Sequence, residues 1–251
     1  MSESIAGFHS EVASRLEALA TEARNGALAA AVDALAASIS AGGVVHAFGT
    51  GHSEAFAMEI AGRAGGLIPT NKIALRDVVL RGRRDAAILA GSSLERDPSV
   101  VDELFDLSPV HPGDVFIIAS NSGVNGSIVG LALRAKAAGH TVIAVTSLEH
   151  TNAVDAKHPS GVRLSEVADI VIDNKAPFGD TTLEVSGGGG VGAVSSITGA
   201  FIAQLLTIET VHRLASAGEK PPIYVSANIP GGDEHNRALE DLYGDRIRRD
   251  A

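Results

Sequence analysis

Two short polar segments carry most of the residues that could do chemistry in this chain of 251 residues. Residues 49–54 read Gly-Thr-Gly-His-Ser-Glu, and residues 120–125 read Ser-Asn-Ser-Gly-Val-Asn. Hydroxyl and amide groups around a glycine at the start of a helix bind phosphate, because backbone N–H groups and the helix macrodipole favour an anion there. The second segment therefore predicts a phosphate site that contains no lysine. Ser and Asn also cap helices without any ligand, and this alternative stays open for each segment taken alone.

Neither segment matches the common nucleotide-binding motifs. A dinucleotide-binding turn would need a third glycine where Glu54 stands, and no Gly-Lys-Ser/Thr sequence follows a predicted strand. Metal ligation by His52, Glu54, Asp233 and His235 is conceivable, but no compact ligand pair on one element supports it. We therefore expect no metal and no cofactor.

Apolar runs place both segments at the ends of strands. Residues 44–48 precede the first segment and residues 114–119 precede the second, while residues 141–145 and 168–172 continue the series between helix-compatible stretches. Apolar strands that alternate with helices are typical of a parallel sheet covered on both faces. We predict an α/β fold, a three-layer doubly wound sandwich of the flavodoxin-like kind, whose ligands bind beyond the carboxyl ends of the strands.

The predicted organisation is a single domain over residues 1–251. Ala and Leu at helical spacing predict N-terminal helices with a break at Asn25-Gly26. Residues 177–192 are expected to form a loop and residues 193–214 a long helix. The predicted segments are N-terminal helices at residues 1–40, the α/β core at residues 41–215 and a C-terminal tail at residues 216–251 that contributes to the site or to a dimer.

Composition argues against several classes of protein. Lys and Arg total 20 against 30 Asp and Glu, and the net charge of −10 disfavours a nucleic-acid or anionic-membrane partner. Cysteine is absent, which is compatible with a reducing, cytoplasmic location. The sequence has no signal-like N-terminus and no charge-free apolar stretch of about 18 residues, so we expect no membrane partner.

Three segments, each following a predicted strand, resemble the sugar isomerase (SIS) domain family of phosphosugar enzymes and sensors. They are residues 49–53, residues 120–125 and Thr146-Ser147. Residues 158–169 and 226–236 further resemble a bacterial phosphosugar-binding branch that includes N-acetylglucosamine-6-phosphate dehydratase. The resemblance implies a small phosphosugar as ligand and a homodimer with sites at or near its interface.

The resemblance also implies which residues bind the substrate. In the family the Ser-x-Ser-Gly loop binds the sugar phosphate, and the loop after the first strand holds the reactive end of the sugar. Asn125 stands where the family often has Thr. The implied substrate-binding residues are Thr50, Gly51, Ser53, Ser120, Asn121, Ser122, Gly123, Asn125, Thr146 and Ser147.

Four residues are candidates for catalysis. Glu184 lies at the place that resembles the proton-abstracting Glu of glucosamine-6-phosphate synthase isomerase domains. Muramic acid phosphate etherases use a Glu late in the helix after the first loop; Arg63 occupies that position here, and Glu59 is the nearest substitute. His52 and His235 complete the set. Three of them have a structural alternative: an exposed or ion-paired helix position for Glu59, a backbone hydrogen bond for His52 and a flexible acidic tail for His235.

The predicted chemistry begins with removal of the carbon 2 proton from an opened amino-sugar phosphate, with donors that stabilise the enolate. The resemblance implies dehydration of N-acetylglucosamine 6-phosphate, with Glu184 as base and Glu59 as partner acid. An isomerase or deaminase is the enzymatic alternative, and a non-catalytic phosphosugar sensor is the other. Residues 2–40 lack the clustered Lys and Arg of a DNA-binding segment, which favours an enzyme.

Overall fold

A five-stranded sheet forms the centre of the computed structural model, which describes residues 2–249. All of its strand pairs are parallel, and the spatial order is β2-β1-β3-β4-β5. This architecture confirms the predicted α/β fold. The strands are β1 (Val45–Gly49), β2 (Thr70–Ile73), β3 (Val115–Ala119), β4 (Thr141–Thr146) and β5 (Ile170–Asp173).

Helices cover both faces of the sheet, and a small antiparallel hairpin precedes the last long helix. The hairpin strands are β6 (Thr181–Glu184) and β7 (Gly190–Ala193). No helix within residues 2–249 is both long enough and apolar enough to cross a membrane. The helices are α1 (Ser2–Arg24), α2 (Ala29–Ser40), α3 (Glu54–Ile60), α4 (Asp77–Leu80), α5 (Ser93–Arg96), α6 (Val101–Asp106), α7 (Gly126–Ala137), α8 (Leu148–Ala153), α9 (Leu164–Val167), α10 (Ser195–Ser216) and α11 (Gly232–Glu240).

Strand β3 shows why the strands are apolar without alternation. Ile117 and Ala119 pack into a cluster with residues of α2, α3 and α10, whereas Phe116 and Ile118 pack with residues of α6 and α7 on the opposite face. Successive side chains of a strand point to opposite faces, so a sheet covered twice buries both sets. Full burial of such a side chain stabilises the fold by about 1.5–3 kcal/mol.

The chain order and the spatial order of the strands differ at one point. Strand β2 follows β1 in the sequence but lies at the sheet edge, so β1 is flanked by β2 on one side and by β3 on the other. Ligands of open α/β sheets bind where the strand order reverses in this way. The sequence analysis missed β2, whose four residues, Thr-Asn-Lys-Ile, contain a single apolar side chain.

The N-terminal helices are confirmed, with their break at Gly26, whose φ is +88°. The loop expected at residues 177–192 was wrong, because that segment contains β6 and most of β7. The hairpin packs on α1 closely enough that a Cβ on Gly192 would lie 2.8 Å from the Phe8 ring. Helix α11 was not expected within the polar tail.

Candidate functional site

The two polar segments lie side by side at the switch point of the sheet. Gly49 ends β1 and Ala119 ends β3, and the two residues are register partners across the parallel pair. We call residues 49–54 the first loop and residues 120–125 the second loop. Their side-by-side placement follows from the pairing of β1 with β3.

The first loop folds back tightly on itself. A Cβ on Gly49 would lie 2.2 Å from the carbonyl oxygen of Ser53, so this approach requires glycine. Ser53 has the helical values φ −69° and ψ −11°, and its hydroxyl makes no capping hydrogen bond to α3. Of the two roles open to it, Ser53 therefore does not cap this helix. Its half-buried side chain instead lines a cavity beside the second loop.

The second loop forms a cradle at the N-terminus of α7. The backbone N–H of Gly123 donates to Oγ of Ser120 over 3.1 Å, and Gly123 has φ +65°. Asn125 is the N-cap residue in an extended conformation, but its side chain makes no capping bond. The first N–H groups of this 12-residue helix are therefore left without that side-chain acceptor, which suits an anion.

Asn121 is held in place by neighbours from two further strand ends. Its Oδ1 accepts a hydrogen bond from Nδ2 of Asn174 over 3.1 Å, and its carbonyl oxygen accepts from the Ser147 N–H over 3.2 Å. The first bond occupies the acceptor end of the Asn121 amide, so Nδ2 is the end that can serve a phosphate. Asn174 was missed in the sequence, although its place directly after β5 was a usable signal.

Thr146 and Ser147 support the second loop from within. Both are fully buried, and Oγ1 of Thr146 donates to the Asn121 carbonyl over 3.3 Å. Oγ of Ser147 donates to the Ala176 carbonyl over 2.6 Å and accepts from the His150 N–H over 3.0 Å. Their hydroxyls are engaged inside the protein, and their role as substrate contacts stays a prediction.

Two hollows flank the first loop. The smaller has a volume of about 20 Å³, room for roughly one water molecule, and its walls include His52, Asn121 and Ser195. The larger has a volume of about 380 Å³, and Thr50 and Glu95 are among its lining residues. Ser120 and Asn121 of the second loop line the smaller hollow, whereas the larger one lies on the Glu95 side of the first loop.

Glu95 lies between the two loops. Its Oε1 accepts a hydrogen bond from Nδ2 of Asn125 over 3.3 Å, and its Oε2 is 3.6 Å from where a Cβ on Gly51 would be. The Glu95 carbonyl accepts from Oγ of Ser127 over 2.7 Å. The next residue approaches α7 so closely that a Cβ on Gly126 would lie 2.2 Å from the Arg96 carbonyl oxygen. This carboxylate was missed because nothing near it in sequence marks it as chemical.

The four predicted catalytic residues are not brought together within one chain. His52 is exposed and lines the smaller hollow. Glu184 is exposed at the end of β6, where it pairs with Gly190, and lines neither hollow. Nε2 of His235 is hydrogen-bonded to the Ile223 carbonyl over 3.0 Å.

Glu59 is ion-paired in this structure, which is the structural alternative given for it above. The pair is with Arg63, which follows the end of α3, and Glu59 also accepts a hydrogen bond from Nε2 of Gln204 over 2.6 Å. It lines neither hollow, and its role as partner acid stays a prediction. The alternative metal ligands are dispersed as well: Glu54 accepts two hydrogen bonds from Arg76, and residues 2–249 contain no group of three acidic or His side chains placed to hold a metal.

Comparison with known sequences identifies the family of this chain. A family model described as "SIS domain" matches residues 7–147, more than half of the chain. The chain belongs to the SIS domain family. This SIS protein is 39% identical over 214 residues to a UPF0309 protein of Listeria monocytogenes, covering 85% of this chain and 86% of the relative. It is 38% identical over 217 residues to a UPF0309 protein of Brucella canis, covering 86% of each.

Solved structures share the SIS fold at low sequence identity. A phosphoheptose isomerase from Neisseria gonorrhoeae superposes with a TM-score of 0.52 at 17% identity, covering 86% of this chain and 98% of the other. One from Francisella tularensis gives a TM-score of 0.52 at 18% identity, covering 83% and 97%. A Bacteroides fragilis protein, named as a candidate phosphosugar isomerase involved in capsule formation, gives 0.56 at 18% identity, covering 85% and 91%.

Proposed function

We propose that this SIS protein is a phosphosugar lyase that dehydrates N-acetylglucosamine 6-phosphate. The observation that carries the proposal is the placement of the Glu95 carboxylate between the second loop and the first loop. The second loop supplies the donors for a phosphate, and the first loop, which borders both hollows, lies beside the sugar. A carboxylate at this junction lies where the reaction needs a general base for the carbon 2 proton of the sugar.

The substrate phosphate binds the second loop through neutral donors. Hydroxyls of Ser120 and Ser122, the amide of Asn121 and the N-terminal N–H groups of α7 replace the lysine of other phosphate sites. This explains how a chain of net charge −10 binds an anion. The phosphoheptose isomerases that share the fold support a phosphosugar as the substrate class.

In the proposed reaction the carboxylate of Glu95 removes the proton from carbon 2 of the open-chain sugar. The electron pair moves into an enolate that the N–H groups and hydroxyls of the first loop stabilise. The enolate then expels the carbon 3 hydroxyl, which leaves as water after protonation, and His52 is the residue of the first loop suited to supply that proton. The products are an unsaturated amino-sugar phosphate and one water molecule.

The identity of the sugar rests on the resemblance of residues 158–169 and 226–236 to the dehydratase branch. Purified protein incubated with N-acetylglucosamine 6-phosphate in deuterated water, followed by NMR, should lose the carbon 2 proton signal and show a new alkene signal. Exchange at carbon 2 without water loss would indicate the isomerase. Saturable binding without exchange would indicate the phosphosugar sensor.

The proposal includes a homodimer that forms through α1. Ile5, Phe8, Val12 and Ile197 line an apolar hollow of about 430 Å³, and Ile5 is 66% exposed. Apolar surface of this kind is typical of subunit interfaces. The hairpin that carries Glu184 packs on the same helix, so a dimer through this face would be the arrangement that gives Glu184 a catalytic role. Sedimentation velocity of the wild type and an Ile5→Glu variant tests the interface.

A further inference from the structure

A basic groove lies beside the first loop and shares Arg76, the partner of Glu54, with the larger hollow. It has a volume of about 600 Å³, and five cationic side chains line it together with Met58 and two small residues. No acidic residue is among the lining residues, although the chain as a whole carries a net charge of −10. The cationic side chains are those of Arg63, Lys72, Arg76, Arg248 and Arg249.

Four separate segments of the chain converge on this groove. Arg63 follows the end of α3, Lys72 belongs to β2, and Arg76 precedes α4, while Arg248 and Arg249 lie in the last described residues. Cations gathered from such distant positions do not arise from one charged run of sequence. The carboxylates of Glu54, Glu59 and Glu240 pair with four of these cations and offset part of their mutual repulsion, and an anion in the groove would offset more of it.

The cations are held by partners that leave donors for a ligand. Glu54 pairs with Arg76 at 2.5 Å and with Lys72 at 3.5 Å, and Arg249 Nε pairs with Glu240 at 3.0 Å. Arg249 also donates to the carbonyl oxygens of Ile68, Thr70 and Arg248, so most of its N–H groups are engaged. Within residues 2–249 the hydrogen bonds of Arg63 and Arg76 go only to Glu59 and Glu54, and these two side chains keep the most donors for a ligand. Guanidinium has five N–H donors, so these bonds fix the side chains without using all of them. The groove is therefore organised before any ligand arrives.

We propose that this groove binds a small organic polyphosphate, with two or more phosphate groups, at a site separate from the phosphosugar cradle. Several guanidinium and ammonium groups around one cavity match several adjacent phosphates, since Arg–phosphate pairs are strong and bidentate. Met58 is 56% exposed at the groove and provides an apolar contact for the organic part. The volume lies within the range of about 300–1,000 Å³ that is typical of ligand pockets.

The groove communicates with the sugar site through one ion pair. Arg76 lines both the groove and the larger hollow, and it holds the carboxylate of Glu54, which begins α3 at the end of the first loop. A polyphosphate that engages Arg76 competes with Glu54 for its guanidinium. The bound polyphosphate therefore acts on the first loop from outside the phosphosugar cradle.

Calorimetric titration of the full-length protein with tripolyphosphate, at low salt, tests the site. We expect one saturable site per chain, with an affinity that falls as NaCl is added. Arg63→Gln and Arg76→Gln should each weaken binding about tenfold, because each removes charge-assisted hydrogen bonds. Arg83→Gln removes an exposed cation outside the groove and serves as the matched control, with binding within about twofold of wild type.

Three results would overturn the proposal. The first is the absence of saturable tripolyphosphate binding, and the second is an equal loss in Arg83→Gln and Arg63→Gln. The third is a dimer that sedimentation velocity detects, that Arg63→Gln abolishes and that tripolyphosphate leaves unchanged. This result would assign the groove to a second copy of the chain. Melting curves of the variants confirm folding. Arg63→Gln should bind N-acetylglucosamine 6-phosphate as tightly as wild type. A loss of tripolyphosphate binding at the groove is therefore distinguishable from a failure of the proposed lyase activity.

Discussion

Nδ2 of Asn125 donates a hydrogen bond to Oε1 of Glu95 over 3.3 Å. Asn125 is the N-cap of the helix that follows the second loop, and Glu95 belongs to a short helix 30 residues earlier. This bond joins the proposed phosphate site to the proposed base. Asn125 stands where the family often has Thr, and the bond gives this residue a role: its side chain donates to the Glu95 carboxylate instead of capping its own helix.

Glu95→Gln should abolish proton exchange at carbon 2 while leaving phosphosugar binding within about twofold. The amide keeps the shape and accepts the hydrogen bond from Asn125, but it no longer removes a proton, and loss of a general base lowers turnover by about 10²–10⁴-fold. Exchange measured by NMR and binding measured by calorimetry separate the two effects.

Glu184→Gln is the matched control for that variant, since it makes the same change on the exposed hairpin. If Glu95 is the base, exchange in Glu184→Gln stays near the wild-type rate. The reverse pattern, with exchange lost in Glu184→Gln and retained in Glu95→Gln, would instead assign the base to the hairpin of an assembled dimer.

Ser122→Ala should raise KM more than it lowers kcat. The phosphate is remote from the reacting carbon, so its contacts contribute mainly to binding that is shared by ground state and transition state. Steady-state kinetics provide the measurement, and Ser10→Ala on the exposed face of α1 is the control. A loss confined to kcat would contradict the assignment of the cradle.

Asn174→Ala should weaken phosphosugar binding without removing any proposed contact to the substrate. Asn174 acts as a positioning residue, because its Nδ2 holds the acceptor end of the Asn121 amide. Without that bond the amide rotates, and we expect KM to rise several-fold, the equivalent of about 1 kcal/mol. Ser122→Ala and Asn174→Ala combined should then cost less than the sum of the two, since both act on one phosphate.

Gly123→Ala should destabilise the fold by more than Gly139→Ala. Both glycines have positive φ, +65° and +85°, and a side chain in that conformation costs roughly 1–2 kcal/mol. Only at Gly123 would the added Cβ also crowd Thr151 and Thr146, at 3.0 and 3.1 Å from their hydroxyl oxygens, whereas at Gly139 it meets open space. Urea unfolding of both variants measures the difference, and equal losses would show that the second loop relaxes freely.

Stability should fall as the pH is lowered from 7.5 to 5.5, partly through His46. Burial lowers the pKa of this fully buried imidazole, and the carboxylate of Asp114, 3.0 Å away, only partly offsets that effect. Below pH 6.5 the unfolded chain therefore binds a proton that the folded chain does not, at a cost of up to about 1.4 kcal/mol per pH unit. His46→Gln should give a shallower slope in urea unfolding; an unchanged slope would assign the loss to other histidines.

A second loss of stability is expected at more acidic pH from Asp114. Burial raises its pKa, but hydrogen bonds from His46 and from the N–H groups of His111 and Val44 outweigh burial and hold the pKa below its usual value. This stabilisation is present above about pH 4 and disappears as the pH falls through the lowered pKa. Asp114→Asn should therefore be less stable than wild type at pH 7, with the difference narrowing toward pH 3.

Local patterns in the sequence were sufficient for much of the sheet and for both loops. Buried parallel strands are continuous apolar runs, so β1, β3, β4 and β5 were recognisable, and the glycines and hydroxyls that follow two of them marked the loops. Strand β2 and the hairpin were not recognisable, because Thr-Asn-Lys-Ile and the glycine-rich segment around Gly190 lack that signature. Their positions depend on what they pack against.

The sequence by itself determined that this chain has two polar loops on a doubly wound α/β sheet, and it predicted a phosphate site in the second of them. Only the tertiary structure decided which groups surround them. Glu95 contacts Asn125 from 30 residues earlier in the chain, and Asn174 contacts Asn121 from 53 residues later. Glu59, which the sequence offered as a partner acid, is instead bonded to Arg63 and Gln204. The physical reason is that loop chemistry is encoded locally in residue type and φ, while proximity between distant side chains is set by the pairing of β1 with β3 and by helix packing.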